Sequence, residues 1–261
     1  MELLGIDIGG SGMKGALVDA VTGEMLTERH RIPTPTSRHP GDMAKVVKEI
    51  IDHFDYKGPI GCGFPTMMKN GICLETGNLH NEWKNLHVAE LFSGVCGQPV
   101  TVVNDADAAG YAAMNYGVGK GTKGLVLMIT IGTGLGSGAF WNGELIPNFE
   151  LGQIPYKKHK KIEHWAANSV KERENLSYKK WGKRFNKFLS IVEILVSPDL
   201  IILGGGASDD FDSFKNKIKI NTPVLPARLG NHAGIIGAAA AALEQMSAEE
   251  RSTLVASPQD N

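Results

Sequence analysis

Long apolar runs are absent from this 261-residue chain, and none approaches the length a membrane-spanning helix needs. Cysteine is scarce. Cys62, Cys73 and Cys96 are odd in number and lack metal-ligand spacing, so free thiols in a reducing compartment are expected rather than a disulfide framework. Charge of one sign is also missing: 27 Lys and Arg stand against 28 Asp and Glu. The net charge of −1 therefore gives no global pull towards nucleic acid or a membrane surface. The chain opens with Met1-Glu-Leu-Leu-Gly5 and runs straight into a strand pattern without a basic leader, which predicts a cytoplasmic protein. Glycine is plentiful at 32 residues, mostly clustered, and the 42% hydrophobic content supplies a core for one large domain or two lobes.

Periodicity orders the elements. Leu3 to Ile8, Met13 to Val18 and Met25 to Ile32 read as three strands, with Val21 to Glu24 as a turn. Because the first glycine loop leads into a strand and not a helix, a dinucleotide fingerprint is excluded. Met43 to Phe54 repeats at helical spacing, Pro59 to Phe64 is a strand, and Pro65 to Gly71 a loop or turn. Asn78 to Asn85 reads as polar loop around Trp83, with a helix near His87 to Val95. Further strands are expected at Val100 to Val103, Gly124 to Ile131, the segment ending at Trp141, and Leu200 to Leu203. Helices are expected over Glu163 to Asn175, Ser177 to Val196 and Ala233 to Met246. In the second of these, Trp181, Phe185, Phe188, Val192 and Leu195 fall on one face. The repeated β-glycine-β unit predicts two similar lobes, residues 1–103 with 236–250 and residues 104–235, followed by a frayed tail at 251–261.

Three glycine clusters each follow an apolar strand: Gly9, Gly10 and Gly12 with Ser11; Gly132 and Gly134 with Thr133; and Gly204, Gly205 and Gly206, with Ser208 just beyond. Glycine lets consecutive N–H groups turn towards one anion, and phosphate is the natural guest. Asp7 lies within the first apolar strand, where a charge is costly unless paired or facing a metal or ligand. It is a candidate for holding Mg²⁺ beside the phosphates, although a carboxylate capping loop amides fits the same position. Asn104 and Asp105 stand where a short strand gives way to an Ala-rich helix, the end of an α/β strand at which ligands bind. Asp105 is a candidate general base and Asn104 a candidate partner for a polar substrate, while a plain helix cap uses the same residue types. Glu150 ends an apolar run before a loop, where sugar hydroxyls could supply donors.

Ile6-Asp-Ile-Gly-Gly-Ser-Gly-Met-Lys-Gly15, Val103-Asn-Asp-Ala-Asp-Ala108, Thr130-Ile-Gly-Thr-Gly-Leu-Gly-Ser137 and Leu203-Gly-Gly-Gly-Ala-Ser208 resemble the motifs of the ROK family of sugar kinases. Glu172 to Trp181, Val196 to Asp199 and Ala233 to Ala238 resemble its polyphosphate-using branch, and the resemblance spans about residues 3 to 245. It implies a two-lobed actin-like ATPase (ribonuclease H-like) fold with a central cleft. It also implies phosphoryl transfer from polyphosphate, or ATP, to the 6-hydroxyl of glucose. Asp105 would take the hydroxyl proton, and Asn78, Asn104, Glu150, Glu163 and Thr66 would contact the sugar. Lys14 and the glycine bends would hold the phosphoryl group with Mg²⁺ near Asp7, and a homodimer is implied. Two departures stand out. Gln153 replaces the family's usual His, keeping a hydroxyl contact but no titrating imidazole. No cysteine follows Cys96, so the family's zinc site is not expected, and His159 and His164 read as surface residues.

From Lys157 to Lys187 the chain carries eleven Lys or Arg against three Glu, a local excess of eight positive charges. Such a segment suits a polyanionic donor, or it is simply a solvated face, as helical spacing implies for Lys179, Lys183 and Lys187. Within enzymes, an ATP-dependent kinase for mannose, fructose or an N-acetylhexosamine is the rival reading. Outside them stand a non-catalytic sugar sensor and a sugar-responsive repressor, the latter disfavoured because the first strand begins by residue 3.

Overall fold

The structure is a computed structural model that describes residues 1–248 and Arg251. The proposed tail at 251–261 thus lies almost wholly outside the described residues. In chain order the strands and helices are β1 (Glu2–Ile8), β2 (Met13–Asp19), β3 (Glu24–Met25), β4 (His30–Ile32), α1 (Pro40–His53), β5 (Ile60–Phe64), β6 (Met68–Lys69), β7 (Ile72–Cys73), α2 (Val88–Cys96), β8 (Val100–Asn104) and α3 (Asp105–Asn115). There follow β9 (Leu125–Ile131), β10 (Leu135–Trp141), β11 (Glu144–Ile146), α4 (Glu163–Ala166), α5 (Asn168–Arg173), α6 (Tyr178–Val196), β12 (Leu200–Gly204), α7 (Phe211–Phe214), β13 (Val224–Pro226) and α8 (Ala233–Gln245). No described helix is long and apolar enough to cross a membrane.

Two compact units result, one of Met1–Ala112 with the chain from Ala233 onward, the other Ala113–His232. This division lies nine residues beyond the 103/104 boundary read from the sequence, and α3 begins in the first unit. Helix packing is the reason. A Cβ at Gly237 of α8 would collide with the Ala108 carbonyl of α3, so the two helices meet backbone to backbone.

The first unit's sheet has the order β3-β2-β1-β5-β8, with β4 also on β2. β1 and β2 are antiparallel, whereas β1, β5 and β8 run parallel, so three strand ends point the same way. Leu4, Ile6 and Ile8 face a core with Met43, Val47 and Ile50 of α1 and Phe92 of α2. The alternate residues face α8. There Gly5 and Gly61 admit the carbonyls of Ile235 and Ala238, contacts that leave no room for a Cβ.

The second unit repeats the order as β11-β10-β9-β12-β13. Asn142 and Gly143 join β10 to β11 with φ of 55° and 97°, the two left-handed residues a tight hairpin requires. Leu127, Ile129 and Ile131 of β9 share a core with Trp181, Phe185, Phe188 and Val192 of α6.

Several expectations need correction. The strand expected from Met25 to Ile32 is two short pieces, because the Thr27 hydroxyl takes the Leu17 N–H that a continuous ladder would use. The loop at Pro65 to Gly71 contains β6 of a small hairpin. Trp83 is fully buried, not a loop ornament, and packs on Phe64 and Phe92. The helix expected from Glu163 to Asn175 breaks at Ala167, which is extended, since the Trp181 indole N–H donates to the carbonyls of Ala166 and Ala167. Leu195 is 59% exposed and leaves the apolar face of α6.

These contacts predict opposite outcomes for two glycines. Gly61→Ala forces a Cβ into the Ala238 backbone and should cost about 1–3 kcal/mol. Gly94→Ala, in an exposed turn of α2 with open space around it, should gain roughly 0.5–1 kcal/mol. Thermal melts of the two variants against the parent check the pair.

Candidate active site

Asp7 ends its run on the α8 face of β1, in register with Gly63 of β5, and Gly63 pairs with Val103 of β8. Gly63 stands on the strand between the two acids, where a Cβ would lie in ordinary contact 3.9 Å from the Asp105 Cα. Sequence reading passed over Gly63, since one glycine in a strand carries no distinguishing signal. Asp7 also sits against the N-terminal turn of α8, where a Cβ at Gly234 would stand 2.8 Å from its carboxyl carbon. Lys14, opposite in the β1–β2 register, donates to Asp7 Oδ2 at 3.3 Å.

Asp105 is the first residue of α3, and the N–H groups of Ala106 and Asp105 itself favour its charged form. Burial outweighs them, helped by the Asp7 charge, and lifts its pKa from 3.8 to about 6. Asn104 fixes that helix start. Its Oδ1 accepts from Ala106 N–H at 2.8 Å, and its Nδ2 donates to the Thr66 carbonyl at 2.9 Å. One side-chain N–H of Asn104 therefore remains for a ligand. Thr66 is almost buried and its hydroxyl meets Cys73 Sγ at 3.3 Å, so it acts on the site through its carbonyl. Asn78 is exposed on the loop before Trp83, and its carbonyl receives Arg38 Nη1.

The Gly9–Gly12 bend is closed by Gly9 N–H to the Gly12 carbonyl at 3.0 Å. Three side chains tie back its other carbonyls: Thr34 Oγ1 to Gly9, Arg38 Nη2 to Gly10 and Arg31 Nη2 to Ser11, at 2.6, 3.4 and 2.8 Å. A trans peptide sets its N–H opposite its carbonyl. The N–H groups of Gly10 and Ser11 accordingly have no acceptor among the described residues and stay open to an anion.

The second unit treats its bends alike. Ser169 N–H donates to the Gly132 carbonyl and Ser169 Oγ to that of Thr133, while the Thr133 and Gly134 N–H groups find no acceptor among the described residues. Glu163 Oε2 accepts from Leu135 N–H at 3.2 Å and occupies the space a Cβ at Gly134 would need. Its Oε1 meets Gln153 Nε2 at 3.5 Å and Lys161 at 4.0 Å. Glu150 and Gln153 share one turn, pinned at both ends by buried Ser137, which donates to the Phe149 carbonyl and accepts from Leu151 N–H. Gly204 closes β12. Gly205, at φ 76°, rests on the Ile131 backbone, and Ser208 caps its carbonyl through both N–H and hydroxyl before Gly206 opens the next turn.

Half-buried His39 clusters with exposed His80 and Glu82 in the first unit, but each imidazole accepts a backbone N–H at Nδ1. The proton then sits on Nε2, from which His39 donates to Glu82 at 2.9 Å, so these rings serve as caps and donors rather than metal ligands.

Two units with one strand order, each carrying glycine bends with outward amides at its strand ends, define an actin-like ATPase fold. The chain belongs to the ROK family, which matches residues 3–150. It is 41% identical over 240 residues to a polyphosphate glucokinase of Mycobacterium tuberculosis, covering 92% of this chain and 90% of that one. The crystal structure of an inorganic polyphosphate/ATP-glucomannokinase from an Arthrobacter strain superposes with a TM-score of 0.88 at 39% identity, covering 94% and 99% of the two chains. A ROK glucokinase from Streptomyces griseus, 21% identical with a TM-score of 0.79 over 92% and 98%, shares the fold.

The raised pKa of Asp105 has a thermodynamic consequence. The folded state binds this proton more tightly than the unfolded chain, so the group's contribution is most favourable below pH 4 and is lost as pH rises through about 6. Asp105→Asn should therefore stabilise the fold by about 1–3 kcal/mol at pH 7.5, with the gain vanishing near pH 4. Urea unfolding at both pH values checks it.

Proposed function

We propose that this protein transfers a phosphoryl group from inorganic polyphosphate, and also from ATP, to the 6-hydroxyl of glucose. The observation that carries the reading is a carboxylate held near pKa 6 in the same unit as an amide-lined bend. A base with that pKa is ionised at neutral pH yet able to take the proton of an attacking hydroxyl. In this reading Asp105 orients and deprotonates the hydroxyl, and Asn104 holds the base in place while offering its remaining N–H to the sugar. Asn78, Glu150, Gln153 and Glu163 accept and donate to the other hydroxyls. Thr66 supports them from behind.

Amides of Gly10, Ser11, Thr133 and Gly134, with Lys14, stabilise charge on the transferring group, as phosphoryl transfer requires. Asp7 fits a magnesium role. It is a hard oxygen donor beside the phosphate bend, and Mg²⁺ takes few protein carboxylates and completes its shell with phosphate and water. When bound, the ion would neutralise phosphate charge, with Asp7 as its protein anchor. The segment from Lys157 to Lys187 attracts a polyanion only in part. Lys157 lies over Tyr156 and Trp165, Lys171 over Tyr178, and Arg184 pairs with Glu174, whereas Lys158 and Lys160 are exposed. A cytoplasmic homodimer belongs to the same proposal, on the strength of the family resemblance.

The test is glucose phosphorylation with polyphosphate and with ATP, side by side, in the parent and in Asp105→Asn. The parent should use polyphosphate, and the variant should lose a factor of about 10²–10⁴ in kcat while still binding glucose by calorimetry. Turnover with ATP alone, or a preference for mannose, fructose or an N-acetylhexosamine, would replace the donor or acceptor assigned here. Full activity of the variant would reject the base.

A further inference from the structure

Arg38 occupies the last step of the connector before α1, one residue ahead of the His39 cap, and its backbone is left-handed at φ 49°. Side chains other than glycine and asparagine seldom adopt that conformation, so something must hold it. Its carbonyl accepts the Trp83 indole N–H at 2.8 Å and His80 N–H at 3.3 Å, which locks the backbone to the loop that carries Asn78. Its guanidinium reaches in two directions. Nη1 donates to the Asn78 carbonyl at 2.8 Å, and Nη2 to the Gly10 carbonyl at 3.4 Å. Gly10, Arg38 and Asn78 also line one open cavity of about 570 Å³, so a ligand seated there bears on the same strut.

We propose that Arg38 is a positioning residue that couples acceptor binding to donor binding, an inference that rests on the sugar-kinase reading above. A guanidinium is planar and rigid, with its donors in fixed relation, so a shift at one carbonyl is transmitted to the other. Ordering of Asn78 by a sugar fixes the Gly10 carbonyl through Arg38. That peptide's opposite edge is the Ser11 N–H, the donor offered to phosphate. By linkage the effect is reciprocal, and the anion at the bend steadies the sugar loop by the same factor. Arg31 and Thr34 hold the same bend but touch nothing on the sugar loop, so Arg38 alone among these three joins the two segments.

Calorimetry on the full chain in an Asp105→Asn background, which blocks turnover, measures the glucose Kd with and without saturating tripolyphosphate and Mg²⁺. Tripolyphosphate should tighten glucose about five-fold or more, within the usual range for coupled sites. Adding Arg38→Met should bring that ratio close to one while each ligand alone still binds. Arg38→Lys, a milder change whose single ammonium reaches only one carbonyl, should do the same and decides the matter if the Met variant does not fold. A ratio unchanged by the Arg38 substitutions overturns the inference, even if both single affinities weaken, because that is the signature of a merely structural side chain. A ratio near one in the Asp105→Asn parent also overturns it. Failure of the parent to bind either ligand is a different result, and it rejects the sugar-kinase reading itself.

Discussion

The carbonyls of the glycine bends are tied back, and the rest of the site depends on that. A bend of small residues after a strand is free to turn either edge of each peptide outward. Here Thr34, Arg38 and Arg31 take the carbonyls of Gly9, Gly10 and Ser11, and Ser169 takes those of Gly132 and Thr133. Ser208 does the same for Gly205. Because carbonyl and amide of a trans peptide point in opposite directions, each such bond commits an N–H to the open side. The donors are thereby fixed on the open side, where an anion would require little reorganisation to be bound.

The acids answer to a second constraint, close backbone packing. Gly5 and Gly61 let α8 come in against the sheet, Gly234 lets its first turn meet Asp7, and Gly237 lets it meet α3. The helices come in against backbone, and Asp7 and Asp105 are pressed into a crowded, poorly solvated corner. That corner raises the pKa of Asp105 against the pull of its own helix N-terminus. The arrangement is costly to the fold, as strained or desolvated groups at reactive sites commonly are.

The two units solve the same problem with different residues. In the first, the Arg38 guanidinium links the loop that carries Asn78 to the Gly9–Gly12 bend. In the second an anion makes the link, since Glu163 touches both the Leu135 amide beside the bend and Gln153. Gln153 thus has a partner in the protein, a neutral donor to a carboxylate, where an imidazole would bring a titrating charge to the same place.

Local pattern was enough to place β1, β2, α1, β9 and α8, the three glycine bends, and Asp105 at the head of a helix, because period and turn chemistry are set by near neighbours. The acidic pair and its glycine bend were therefore legible in the sequence. What only the tertiary structure decided was what holds them. Arg38 to Asn78, Ser169 to Thr133 and Thr34 to Gly9 join residues 40, 36 and 25 positions apart. The burial of Trp83, the break at Ala167 and the unit boundary within α3 also depend on such partners. A hydrogen bond of that span leaves no periodic trace, because its donor and acceptor meet only once the chain has closed around them.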